Sequence, residues 1–293
     1  MDNTSTIRLS VEIFQMVIYI PTFILGLVFN LLALWMLFCR IKKWVEVTTY
    51  VTALIAFDSL LLFTLPFKMT AYREGNEWSL GSSFCSFLES LYFLNMYGSI
   101  LISVCICVDR YIAIQYPFYS VTLRSPKKAV SVCLFLFTLV WGITIVLLFK
   151  RQHSRMGPQC FYGFSVSIWM NFALIITLEL VFFISAVLMT FCTAHITLTL
   201  ERKTQVDPSI PSARKSVRIL LSNLFIFLFA FAPFHLSLLL YYFVKNEIIS
   251  SDFKEAMRIF IQVSLCLANT NCFLDGLCYY FIFKDFLHQP RTR

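Results

Sequence analysis

The sequence predicts an all-α membrane protein, a bundle of seven spanning helices with a short amphipathic eighth, and three observations carry that prediction. The 293 residues are 59% hydrophobic and 17% aromatic but only 14% charged, with a mean hydropathy of +0.76, which is too apolar for an ordinary soluble domain. Apolar runs long enough to cross a bilayer occur near 13–39, 47–71, 85–114, 128–149, 169–200, 216–244 and 257–282. The basic residues also alternate between loops, as the positive-inside rule requires.

The third run is the pillar of the chain. Cys85 opens it, and Val108-Asp109-Arg110-Tyr111 followed by Tyr116-Pro117 closes it. The roughly 25 residues between Cys85 and Arg110 span a bilayer at about 1.5 Å each. Glu89, Asn95 and Ser99 lie within this run, and polar groups at that depth face other helices or a wet cavity.

The first run contains Asn30, which is costly in hydrocarbon unless hydrogen-bonded and is therefore read as a clamp between helices. The short connection from Arg40 to Trp44 returns the second run antiparallel beside the first. That second run holds Asp58, a functional candidate because an unpaired carboxylate in mid-membrane is expensive, and Pro66, which kinks the helix near Lys68. Lys68 either aims into the bundle or snorkels to the headgroups.

Pro126 suits the first turn of the fourth helix. The loop before the fifth run carries Lys150, Arg151, His153 and Arg155, a basic cluster able to attract an anion or to sit among headgroups. Glu179 and His195 belong to the fifth run. The sixth begins with Arg214, Lys215 and Arg218 and carries Phe231-Ala232-Pro233-Phe234-His235, whose interior proline should bend it into a lever. Asn269, Asn271, Asp275 and Tyr279 lie in the seventh run. Residues 283–287 read as a short amphipathic helix on the membrane surface.

Fifteen of the 24 basic residues fall on the side that follows the odd-numbered helices, which makes it the cytoplasmic face and the N-terminus extracellular. Residues 1–12 then lie outside, 13–282 form one bundle domain and 283–293 a short inner tail. The formal charge of +8 is almost all on that inner face, suited to anionic membrane lipids and an acidic protein partner, with no nucleic-acid role. Asn3-Thr4-Ser5 fits a glycosylation acceptor, and the first helix serves as an uncleaved anchor. Of ten cysteines only Cys85 and Cys160 fall outside, so one disulfide joins them.

No signature of a serine hydrolase, zinc protease, P-loop or dinucleotide site is present, and the chain is read as a non-enzyme without a cofactor. An ion-coupled transporter could use Asp58 and Asp275, yet seven helices show no internal repeat and no matched broken pair.

Asn30, Leu54 to Asp58, Cys85 with Cys160, Asp109-Arg110-Tyr111, Pro233, and Asp275 with Tyr279 stand in order along essentially the whole chain. In this the sequence resembles the rhodopsin-like (class A) G-protein-coupled receptors. Within them it is similar to the branch of lysophosphatidylinositol and kynurenic-acid receptors, through Leu65-Pro66-Phe67, Leu123-Arg124-Ser125-Pro126, and Asn271-Cys272-Phe273-Leu274-Asp275. The pocket arginines of the kynurenic-acid receptor fall on Met96 and Tyr241 here. Departures from the wider family are Ser185 for a proline in the fifth helix, Phe231 for a tryptophan, Phe137 for another with Trp141 one turn on, and Gly276 for a proline.

The resemblance implies a plasma-membrane receptor that passes an extracellular signal to a heterotrimeric G protein, with an anionic lysophospholipid as the favoured ligand and a small acidic metabolite as the alternative. Lys68 and Glu89 would pair in the empty receptor, with Lys68 then taking a phosphate and Glu89 a polyol. Tyr92, Met96, Phe231, His235 and Tyr241 would line the apolar path. Asp58, Ser99, Asn271 and Asp275 resemble the family's sodium cluster. Asp109, Arg110, Tyr111, Pro233 and Tyr279 resemble its switch, with Arg110 held by Asp109.

Overall fold

The computed structural model describes residues 3–41, 44–73, 78–152, 160–161, 172–206 and 211–287. Lys42, Lys43, His153, Arg155 and the tail after 287 lie outside them, as do the side chains of Asn3, Lys150, Arg151, Arg214 and Lys215. Among the described residues nine α-helices follow one another: α1 (Asn3–Trp35), α2 (Glu46–Arg73), α3 (Ser82–Gln115), α4 (Pro117–Leu123), α5 (Pro126–Gln152), α6 (Phe172–Val206), α7 (Pro211–Lys245), α8 (Lys254–Asn269) and α9 (Asn271–Leu287). Seven helical segments among the described residues are long and apolar enough to cross a membrane, the last being α8 and α9 together.

Helix α3 is the pillar that the sequence predicts, packing against α2, α5 and α6. The first span closes the bundle by packing on both α2 and α9. Exposed apolar side chains such as Leu134, Phe135, Phe183 and Phe225 belong to the lipid-facing sides of spans four, five and six, where hydrocarbon is the solvent.

Asn30 forms the expected clamp. Its Nδ2 donates to the Gly26 carbonyl in its own helix and to the Cys272 carbonyl of α9, both at 2.9 Å. The backbones can approach because residue 276 is glycine: a Cβ there would stand 3.1 Å from the backbone nitrogen of Asn30. A second close approach fixes the pillar against α2, where a Cβ on Gly98 would lie 2.4 Å from the Phe57 ring. Gly98→Val should therefore lower the melting temperature of the detergent-solubilised protein by overpacking, at a cost of about 1–3 kcal/mol. An unchanged melting temperature would show that Phe57 can swing aside.

Three local features depart from the sequence reading. The connection after α3 folds into the seven-residue helix α4, started by Pro117 at its first position, and Pro126 begins α5 as expected. The seventh span is two helices, interrupted at Thr270. Helical structure then continues to Leu287, so the helical tail after 282 is a continuation of α9 rather than a separate element. With Ser185 buried in place of a proline, α6 is α-helical throughout its length.

Candidate ligand and coupling sites

At the Cys85 end, a disulfide joins Cys85 of α3 to Cys160. Phe161 follows with φ of 63°, a left-handed conformation that costs a non-glycine residue about 1–2 kcal/mol. That turn aims the Phe161 N–H at Glu89 Oε1, 3.1 Å away, and sets the ring against the second span. Glu89 is thus held by the loop.

The expected Lys68–Glu89 pair is not formed. Lys68 is 2% exposed and aims into the bundle, so the snorkelling alternative is also excluded. Its ammonium donates to the Tyr19 hydroxyl at 2.9 Å and lies 4.5–5.8 Å from the ring centroids of Tyr92, Tyr19, Phe161 and Tyr72. Aromatic faces stabilise a desolvated cation by about 2 kcal/mol or more, which is how the lysine tolerates burial without a carboxylate. Asn269 of α8 completes the cage by donating to the same Tyr19 oxygen at 3.4 Å. Only Tyr92 of these rings stood out in the sequence. Tyr72 could have been found as the i+4 neighbour of Lys68, and Phe161 from its place beside Cys160.

Met96 and Phe231 are buried in one apolar cluster, with half-buried Tyr241 packed against it. His235 is different. Its ring is stacked at 4.2 Å on Phe182, Tyr97 meets it edge-on at 5.9 Å, and its Nδ1 lies 3.4 Å from Glu179 Oε1. Its Nε2 and the Tyr97 hydroxyl are both buried without a hydrogen-bond partner among the described residues, a state that costs about 1–3 kcal/mol per group. His235 is a polar step rather than the plain apolar lining expected of it.

Deeper still, the Asn95 amide donates to Asp58 Oδ1 at 3.2 Å and to Ser99 at 3.4 Å, and Asn271 donates to Asp275 Oδ2. Asp58 is completely buried and an electrostatic neighbour of Asp275, while its Oδ2 has no hydrogen-bond partner among the described residues. Two carboxylates around an orphaned oxygen fit a small hard cation such as sodium. A small cavity lined by Cys107, Asn223, Asn271, Asp275 and Tyr279 adjoins this cluster.

At the Arg110 end the expected Asp109–Arg110 pair is secondary. Both oxygens of Asp109 are taken by Arg124, at 2.7 and 2.9 Å, and Arg124 also reaches Glu46 of α2 at 3.1 Å. Hydrogen bonding to Asp109 raises the pKa of Arg124 above its ordinary value. Arg110 remains 3.7 Å from Asp109 and is 38% exposed. Bidentate geometry explains the preference, since a guanidinium lying across a carboxylate makes two parallel charged bonds. Neither Glu46 nor Arg124 was legible as a partner, because both lie far from Asp109 in the chain. Tyr111 packs its edge on Tyr116 and His195, Tyr279 is buried, and Pro233 lies inside α7.

A pillar helix stapled at one end by a disulfide, with a buried carboxylate at mid-depth and Asp-Arg-Tyr at the other end, defines a seven-helix signal receptor. Comparison with known proteins agrees. Residues 29–279 match the family model "7 transmembrane receptor (rhodopsin family)", and the chain belongs to that family, the class A G-protein-coupled receptors. It is 35% identical over 299 residues to G-protein coupled receptor 55 of Mus musculus, covering 95% of this chain and 90% of that one. It is 34% identical over 267 residues to lysophosphatidic acid receptor 6 of Mus musculus, covering 88% and 77%. With human G-protein coupled receptor 35 the identity is 32% over 264 residues, covering 90% and 82%.

Proposed function

We propose that this receptor answers an anionic lysophospholipid arriving from outside the cell and passes the signal to a heterotrimeric G protein, with the chain in the plasma membrane and its N-terminus extracellular. The observation that carries the ligand class is Lys68, a buried ammonium held by aromatic rings and a tyrosine hydroxyl with no carboxylate partner among the described residues. A phosphate gives that cation the anion it lacks, in a site where charge-assisted bonds are strong. The lysophosphatidic acid named for one of these relatives is of the same chemical class. Tyr92, Met96, Phe231 and Tyr241 supply the apolar surface for an acyl chain, and Glu89 fixes Phe161, whose ring lies over Lys68.

The single domain 1–293 performs the whole transduction. Asp58, Ser99, Asn271 and Asp275 hold sodium in the resting state, and the α7 segment around Pro233 swings to open a cleft beside Arg110, Tyr111 and Tyr279 for the G protein. Proline supports the swing because it lacks the N–H that would bond the preceding turn. Asn3 carries glycan on the outer face.

The test is nucleotide exchange in membranes bearing the receptor, challenged with lysophosphatidylinositol, lysophosphatidic acid and kynurenic acid. A lysophospholipid should activate the wild type, and Lys68→Ala should lose about 10–100-fold in potency. Activation by kynurenic acid alone would replace the lipid with a small acid.

A further inference from the structure

We propose that His235, Tyr97 and Glu179 form a second, deeper subsite that reads a neutral hydroxyl of the ligand. This rests on the lysophospholipid reading above. The two unpartnered atoms, His235 Nε2 and the Tyr97 oxygen, belong to residues 1% and 6% exposed on the sixth and third spans, whose rings meet at 5.9 Å. Neither bonds the other. The imidazole cannot turn to find another partner, because Phe182 stacks on its face at 4.2 Å while Tyr97 and Phe234 press their edges on it at 5.9 and 5.4 Å. Such a fixed ring is a preorganised binding group.

The charge of the cluster decides what it takes. Nδ1 faces Glu179 Oε1 at 3.4 Å, and in the tautomer that donates to this carboxylate Nε2 is left as an acceptor on the ring that meets Tyr97. A guest that donates to Nε2 and accepts from Tyr97 satisfies both, and an alcohol does this. A second anion is disfavoured, because Glu179 contributes negative charge and the described residues give the cluster no lysine or arginine partner. Tyr97 stands five residues beyond Tyr92 of the Lys68 cage, roughly 7.5 Å along α3, so the group read here is distinct from the one that Lys68 takes.

The hydroxyl can come from the glycerol of a lysophospholipid or from its headgroup polyol, and three probes with one acyl chain separate them. These are lysophosphatidylinositol, lysophosphatidic acid, and a lysophosphatidic acid analogue lacking the glycerol hydroxyl. Exchange is measured for wild type, Tyr97→Phe and His235→Phe, each normalised to receptor number. The wild type should lose about tenfold or more in potency when the hydroxyl that is read is removed. Tyr97→Phe, which keeps the ring, should flatten that difference while leaving Lys68-dependent activation in place. If both variants weaken all three probes equally, or the wild type ignores both hydroxyls, the subsite is overturned and the lysophospholipid reading stands. Silence of the wild type to all three overturns both.

Discussion

Replacing Arg110 with alanine is expected to abolish ligand-driven nucleotide exchange while leaving ligand binding unchanged. Arg110 is 38% exposed at its end of the bundle and is only loosely tied to Asp109, so its guanidinium is available to whatever docks there. Loss of one charge-assisted contact at the centre of a docking cleft commonly costs several kcal/mol. The geometry adds a paired expectation. Arg124→Ala frees Asp109 to draw Arg110 in and should lower ligand-independent exchange, whereas Asp109→Asn should raise it. Radioligand binding and nucleotide exchange on the same membranes check all three. Full exchange by the Arg110 variant would remove that residue from coupling.

The second large effect is expected at Asp58. An asparagine there preserves shape and keeps an oxygen for Asn95, but it turns the orphaned Oδ2 into an amide NH2 and removes the carboxylate. Asp58→Asn should eliminate most agonist-driven exchange and make what remains insensitive to replacing sodium with choline. In the wild type, raising sodium should suppress exchange by stabilising the resting cluster, as any ligand selective for one state must. Retained sodium dependence in the variant would place the ion elsewhere, and retained coupling would reduce Asp58 to a packing role.

Element lengths and polarity were legible because the bilayer imposes them. A run such as 85–114 has one way to satisfy its backbone in hydrocarbon, and Asn30 had to find a partner across the bundle. The disulfide was legible because only Cys85 and Cys160 were expected outside. Partner choice was less so. Lys68 and Glu89 are opposite charges at similar depth, yet four aromatic rings and the left-handed turn at Phe161 outcompete the pair. Asp109 has Arg110 beside it in sequence, but adjacent residues on a helix point apart, and distant Arg124 offers two parallel bonds. Sequence proximity names neither winner, because orientation across elements decides it.

The interruption at Thr270 has a mechanical meaning. A continuous helix moves as one rod, so a displacement at one end must displace the other. Here the regular helical bonding lapses for one residue, Thr270, between Asn269, which touches the Lys68 cage through Tyr19, and Asn271, which bonds Asp275. A small rotation of the backbone at that joint turns the carboxylate cluster relative to the cage without sliding the whole span through lipid. Torsion at that joint would link the two polar centres, with stiffness at one residue setting how strongly each feels the other.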